Sequence, residues 1–348
     1  MKILRPFLIN DIELPNRITI APMCQYSGIN GNPTHWHYGH LQQLSLSGAG
    51  LLTIESTAIN YNGRITLKDL VLKDDKNEGE FRKLINHLRQ YSKIPIGIQI
   101  SHAGRKGSSE IPWIKPNCPL KKKKWLTYAP SAIKKDNDWP VPKALNFDKI
   151  KKIIKDFKNA AIRANRIGFD CLEIHMAHGY LLHQFFSPIS NRRKDEYGGS
   201  LKKRCRLLIE VAEEIKKVWP KNKILGVRVT GQDWLEHGSS IDDCIYLVSL
   251  LKEIGVNYAC VSSGGIITKT NLVYKEGYQA HLAKIIKKKT KIITRAGGMI
   301  SDFTYAKKIV ENNSVDLISI ARRFINDPTW LIKIQKKPYI SNQYKRCF

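Results

Sequence analysis

The sequence predicts an α/β fold, a single (β/α)8 TIM barrel, on three observations. Short β-branched runs alternate with longer amphipathic ones, the alternation recurs eight times within 348 residues, and no linker composition interrupts it. Residues 1–348 therefore read as one domain, with a doubly wound sheet as the competing arrangement of the same elements. At 42% hydrophobic content the chain has ample material for a buried core.

In chain order, strands are expected at Arg17 to Ala21, Leu51 to Glu55, Ile96 to Ile100, Cys171 to His175, Ile224 to Thr230, Tyr258 to Ser262, Lys291 to Thr294 and Val315 to Ile320. Helical patterns lie between them, among them Phe147 to Arg166, Leu201 to Val218, Ile241 to Ile254, Gln279 to Lys288 and Asp302 to Glu311. Gly168, Gly255 and Pro220 punctuate helix ends. The stretch 104–142, after the third strand and rich in Pro, Lys and Trp, has no periodicity over a length that loops seldom reach, so it reads as a lid or interface insert. The tail 338–348 is too polar for core and too short for a domain.

Composition excludes several classes. No apolar run spans a bilayer and the first residues lack a secretory pattern, so a cytoplasmic protein is expected. The seven cysteines are odd in number, scattered and free of a C-x-x-C pair, which argues against disulfides, structural zinc and cysteine-ligated iron–sulfur clusters, and no metal site is expected. Lys plus Arg number 58 against 30 Asp plus Glu, a net charge of +28 that raises the question of nucleic-acid or membrane binding. The positive residues alternate with Ile and Leu along helical patterns, and only Lys121 to Lys124 form a compact run. The expectation is a lysine-rich solvated surface, with useful attraction for anionic substrates or cofactors as the alternative, and neither nucleic acid nor membrane as partner.

In a barrel of this kind the active site is built at the C-terminal ends of the strands. Read in order, those ends carry Pro22, Met23 and Cys24; Ala58; Gln99 and His102; His175 and His178; Arg228; Gly264 and Gly265; Gly297 and Gly298; and Arg322. Tyr180 follows His178 closely, so two imidazoles and a phenol can aim donors at one substrate. Gln99 offers an amide to a heterocycle edge, Arg228 a fixed charge, the glycines close backbone approach, and Arg322 a phosphate partner. Taken singly, Gln99 and Arg228 also read as buried structural partners, Gly297 and Gly298 as a turn, and Cys24 as a small buried hydrophobe. Together the set looks like a bound nucleotide.

The segments PNRITIAPMCQYS, HMAHGYLLHQFFSPISNRRKDEYGGS, VDLISIARRFINDPTW and QYKRCF resemble the old yellow enzyme family, and within it the bacterial class that includes xenobiotic reductases. The resemblance covers nearly the whole chain. It implies a barrel that holds FMN non-covalently, is reduced by NADPH or NADH, and passes hydride to the C=C bond of an electron-poor alkene, acting as an ene-reductase. It implies Ala21, Pro22, Met23, Cys24 and Ala58 against the flavin, Gln99 at its pyrimidine edge, Arg228 near N1, and Gly298, Ala321 and Arg322 at the phosphate. His175 and His178 would hold the substrate carbonyl and Tyr180 would protonate the α-carbon. Tyr26 would contact substrate, and Arg346 would enter a neighbouring subunit's site, which makes a homodimer or higher oligomer the expectation. Two positions depart from the family: Ala321 stands where Gly is usual, and Arg295 where a small or apolar residue is usual, with the charge expected near the phosphate or at the rim. A flavin-dependent oxidative demethylase of N-methyl compounds and a tRNA dihydrouridine synthase are the alternative chemistries, and a non-catalytic basic binding protein is the alternative class.

Overall fold

Eight parallel strands close on themselves in the order in which the chain supplies them: β1 (Ile18–Ile20), β2 (Leu51–Ala58), β3 (Ile96–Ser101), β4 (Cys171–Met176), β5 (Ile224–Thr230), β6 (Tyr258–Ser262), β7 (Ile293–Ala296) and β8 (Leu317–Ile320), with β8 paired back to β1. This is a computed structural model, and it describes residues 1–270, 272–335 and 342. The barrel fold is the one the alternation predicts. Its strands match the predicted runs to within a few residues, because a strand buried on both faces is an apolar run that leaves little doubt about its extent.

Helices follow each strand and cover the barrel. Phe147–Ile167 shows why. Ile150, Ile153, Phe157, Ala160, Ala161, Ala164 and Ile167 recur every three or four residues and are all buried against the sheet. Asn146 accepts a hydrogen bond from the Lys149 amide at its start, and Gly168 ends it at φ 100°, a left-handed conformation that only glycine enters without penalty. Ser240 and Gly255 bound Ile241–Ile254 in the same way, with a reciprocal Ser240–Asp243 capping box. Truncating Phe157, which is fully buried, to Ala would cost about 3–5 kcal/mol by the usual transfer and cavity terms.

One element has no counterpart in the sequence reading. An antiparallel hairpin, Phe7–Ile9 with Ile12–Leu14, lies ahead of β1. Its Ile9 and Leu14 pack with Leu51, Cys171, Ile224, Tyr258 and Leu317, residues at the starts of β2, β4, β5, β6 and β8. It therefore plugs the N-terminal end of the barrel, leaving the C-terminal end as the mouth.

The stretch 104–142 contains short ordered pieces. Tyr128–Ala129 pairs with Lys143–Ala144, and Arg105, fully buried, donates to the carbonyls of Ile133, Lys134 and Ile266. Trp113 meets Tyr26 edge-on with ring centroids 5.8 Å apart. No helix among the described residues is long and apolar enough to cross a membrane. The tail 338–348, Arg346 included, lies outside the described residues apart from Asn342.

Candidate active site

The mouth gathers the expected residues, apart from Arg346, at one end of the barrel. Ala21, Pro22, Met23 and Cys24 leave β1, Ala58 ends β2, and Gly298 and Arg322 follow β7 and β8. Gln99 and Arg228 sit slightly deeper, within β3 and β5, and strand register sets Gln99 level with Glu173 and Arg228 level with His175. Ala321 precedes the short helix Arg322–Asn326, whose first residue is exposed.

His175, His178 and Tyr180, the residues expected to act on substrate, cluster at the turn after β4. His178 has φ 58° and Gly179 φ 71°. A side chain at Gly179 would strike the Gly265 carbonyl at 2.1 Å, so glycine is obligatory there. The Ala177 amide donates to His175 Nδ1 at 3.1 Å, which puts the His175 proton on Nε2 when the ring is neutral. That Nε2 lies 3.3 Å from His178 Nδ1, and His178 Nε2 lies 2.6 Å from Ser262 Oγ. Burial, reinforced by the nearby Arg228 cation, holds both imidazoles well below their ordinary pKa, so each is neutral and has a single N–H to donate. Tyr180 meets His175 edge-on at 4.8 Å between ring centroids. Burial pushes the Tyr180 phenol, the Tyr26 phenol and the Cys24 thiol up, so all three keep their protons at neutral pH.

Several contributors escaped the sequence reading. Lys106 Nζ donates to the carbonyls of His178 at 2.6 Å and Gly265 at 3.2 Å, and stands 5.0 Å from the centre of the Tyr180 ring. Burial, with Lys135 and Arg105 nearby, brings its pKa down to about 7. His183 Nδ1 accepts from the Gly179 amide at 2.7 Å, and its Nε2 lies 3.0 Å from Asp233, in ion-pair contact though off the hydrogen-bond line. Asp233 also accepts from the Ser187 and Ser239 hydroxyls and the Ser239 amide. Burial alone would raise its pKa, but His183 and these donors bring it down to about 2. The turn that carries His178 and Gly179 is thus held by a buried histidine and acid fifty residues apart in sequence, a pairing with no local signal.

Arg295 corrects the expectation of a charge near the phosphate or at the rim. Its side chain is fully buried inside the barrel and ion-paired with Glu173. Gln99 likewise is 1% exposed and donates through Nε2 to Glu173 at 2.7 Å, so one end of its amide is committed to the protein. Among the described residues no group of three or more His, Cys, Asp or Glu is placed to hold a metal.

Comparison with known proteins bears on this arrangement. The model of the NADH:flavin oxidoreductase / NADH oxidase family matches residues 2–340. The chain is 39% identical to the NADPH dehydrogenase of Bacillus subtilis over 329 residues, 94% of this chain and 92% of that one. It is 37% identical to the NADPH dehydrogenase of Clostridium acetobutylicum over the whole of both. Morphinone reductase shares the fold at TM-score 0.79 and 24% identity, covering 98% of this chain and 91% of that chain. An old yellow enzyme homologue from Zymomonas mobilis does so at TM-score 0.81 and 23% identity, covering 98% and 94%. The chain belongs to the NADH:flavin oxidoreductase / NADH oxidase family, the old yellow enzymes, and is a flavin-dependent NAD(P)H oxidoreductase with FMN as its cofactor.

Proposed function

We propose that this enzyme is an ene-reductase, acting on the C=C bond of α,β-unsaturated carbonyl or related electron-poor compounds. The observation that carries the reading is the cluster of three neutral hydrogen-bond donors, His175, His178 and Tyr180, at a mouth that also holds a guanidinium.

The mouth fits a flavin. The Arg228 Nε is buried without a partner, and Gln99 Oε1 takes no hydrogen bond from the described residues. Those two groups suit the pyrimidine edge, where a cation favours the charge that develops on reduction. Ala21, Pro22, Met23, Cys24 and Ala58 would line the ring, and Gly298, Ala321 and Arg322 would hold the phosphate. Bound FMN, once reduced by NADPH or NADH, supplies the hydride.

The protein's own groups do the rest. The His175 Nε2–H donates to the substrate carbonyl oxygen and draws electron density from the β-carbon. An oxygen entering between the imidazoles replaces the long 3.3 Å bond between them, and His178 shares the load in its Nδ1–H tautomer, its Nε2 then accepting from the Ser262 hydroxyl. The Tyr180 hydroxyl gives its proton to the α-carbon while hydride reaches the β-carbon, so the alkene gains two hydrogens. Tyr26 and Trp113, in contact across the mouth, give the 104–142 stretch a lid role over the substrate. A contribution of Arg346 to a neighbouring subunit's site is supported by the family resemblance alone. Free thiols at the six described cysteines suit a reducing, cytoplasmic setting.

The test is an anaerobic titration with NADPH followed in the flavin absorbance band, then addition of 2-cyclohexen-1-one. Bleaching by NADPH and recovery on adding the enone is the expected result. Bleaching without recovery by this or any other activated alkene would exclude the reading, and turnover of N-methyl compounds without NAD(P)H would replace it.

A further inference from the structure

Beneath the mouth the barrel interior contains a polar cluster where aliphatic packing is the norm. Glu173 on β4 has no exposed surface and accepts from Gln99 Nε2 on β3 at 2.7 Å, from the Tyr258 hydroxyl on β6 at 2.8 Å, and from Arg295 on β7. Gly226 makes room for it, since a Cβ there would strike the Tyr258 ring at 2.1 Å. Arg295 Nε and Nη1 find no partner, and its guanidinium carbon lies 4.9 Å from the centre of the Tyr258 ring. A fully buried ion pair with two unsatisfied nitrogens is a poor way to stabilise a barrel, because desolvation offsets the attraction. Its placement suggests another use. Glu173 stands two residues before His175 on the same strand face, and its carboxylate touches the one amide that faces the flavin edge in the reading above.

We propose that Glu173, charge-balanced by Arg295, is a positioning residue that fixes the amide of Gln99 and, with Arg295, sets the reduction potential of the flavin. The inference rests on the placement of Gln99 at the pyrimidine edge. A glutamine amide has two ends of nearly equal shape, and only its partners decide which way it points. An ionised carboxylate can only accept, so the Gln99 NH2 must face Glu173 and Oε1 must face away. The mouth then meets a carbonyl oxygen beside one remaining N–H, the complement of an imide edge that carries its own N–H beside a carbonyl. Tyr258 and Arg295 occupy the second carboxylate oxygen and keep Glu173 an acceptor.

The pair is also electrostatically balanced, and the two halves predict opposite effects. Glu173→Gln leaves an unopposed cation beneath the mouth, which favours the reduced, negatively charged flavin. Arg295→Met leaves an unopposed carboxylate, which disfavours it. Each is expected to change the ratio of reduced to oxidised FMN affinity by at least tenfold, about 30 mV for a two-electron couple, upward in Glu173→Gln and downward in Arg295→Met. The double variant should return towards the parent.

The measurement is the reduction potential of the holoenzyme by dye equilibration, together with FMN release on dilution followed by flavin fluorescence. Shifts of opposite sign, with FMN affinity lowered at least tenfold in Glu173→Gln, are the expected result. Shifts of the same sign, or none, would overturn the proposal. If either variant fails to fold, Glu173→Asp and Arg295→Lys keep the charges. Glu173→Asp should then weaken FMN binding at an unchanged potential, and unchanged binding would overturn the positioning role. Gln99→Met separates the premise from the inference: if FMN affinity does not fall in that variant, Gln99 is misplaced, whereas a fall there with none in Glu173→Gln defeats the inference alone.

Discussion

His102 turns burial into a measurable acid sensitivity. It follows β3 at the mouth, is 2% exposed, accepts from the Gly104 amide at 3.0 Å, and packs against Gly63, where a Cβ would meet its ring at 2.9 Å. No charge assists it, and burial alone brings its pKa from 6.5 down to about 3. Between those values the unfolded chain binds a proton that the folded protein refuses, so stability rises with pH across the window and is lost as pH falls from 6.5 towards 3. At pH 5 the unfolded state is 1.5 pH below the ordinary value, and the loss is about 2 kcal/mol at 1.36 kcal/mol for each. The perturbation is acidification of the parent beside His102→Asn, whose amide oxygen can still accept from Gly104 but does not titrate. Urea unfolding at pH 7 and pH 5, with excess FMN throughout, should show the parent losing about 2 kcal/mol relative to the variant. A stability difference between the two proteins that stays the same at both pH values would refute the reasoning.

Three further outcomes follow from the site. Tyr180→Phe should slow alkene reduction by about 10²–10⁴ while NADPH still reduces the flavin at nearly the parent rate, and stopped-flow traces showing equal slowing of both half-reactions would exclude the phenol as proton donor. His175→Ala combined with His178→Ala should weaken the charge-transfer complex with a phenol at least tenfold yet retain FMN, since the proposed role of the pair is toward substrate; loss of the yellow band on gel filtration would show the imidazoles serve the cofactor instead. Asp233→Leu removes the acidic neighbour of His183 and the acceptor of the Ser187 and Ser239 hydroxyls together, and should cost about 3–5 kcal/mol in urea unfolding. A midpoint within error of the parent would mean that the buried pair does not hold the turn after β4.

Much of the fold is legible because its signals are local. Ser240 before and Gly255 after Ile241–Ile254 terminate that helix by their own backbone chemistry, and the predicted bounds coincide with the observed ones. β5 and β6 also fall where their β-branched runs do. The hairpin Phe7–Ile9 with Ile12–Leu14 escaped because three-residue strands are shorter than any reliable period, and only the open barrel bottom gives Ile9 and Leu14 something to bury against.

The division at the site has the same cause. The residue types at each strand end, from Met23 to Arg322, were determined by the sequence, because a strand's end and the turn beyond it can be read from neighbours in the chain. Only the tertiary structure decided which way a strand residue points and what it meets there. Arg295 looked like a charge for the rim and is an ion-pair partner inside the barrel, because one step of strand parity separates the two. His183 and Asp233, like Lys106 and the carbonyl of Gly265, meet across loops that leave different strands. Contacts of that kind are set by barrel closure, which brings together positions whose separation in sequence carries no trace of it.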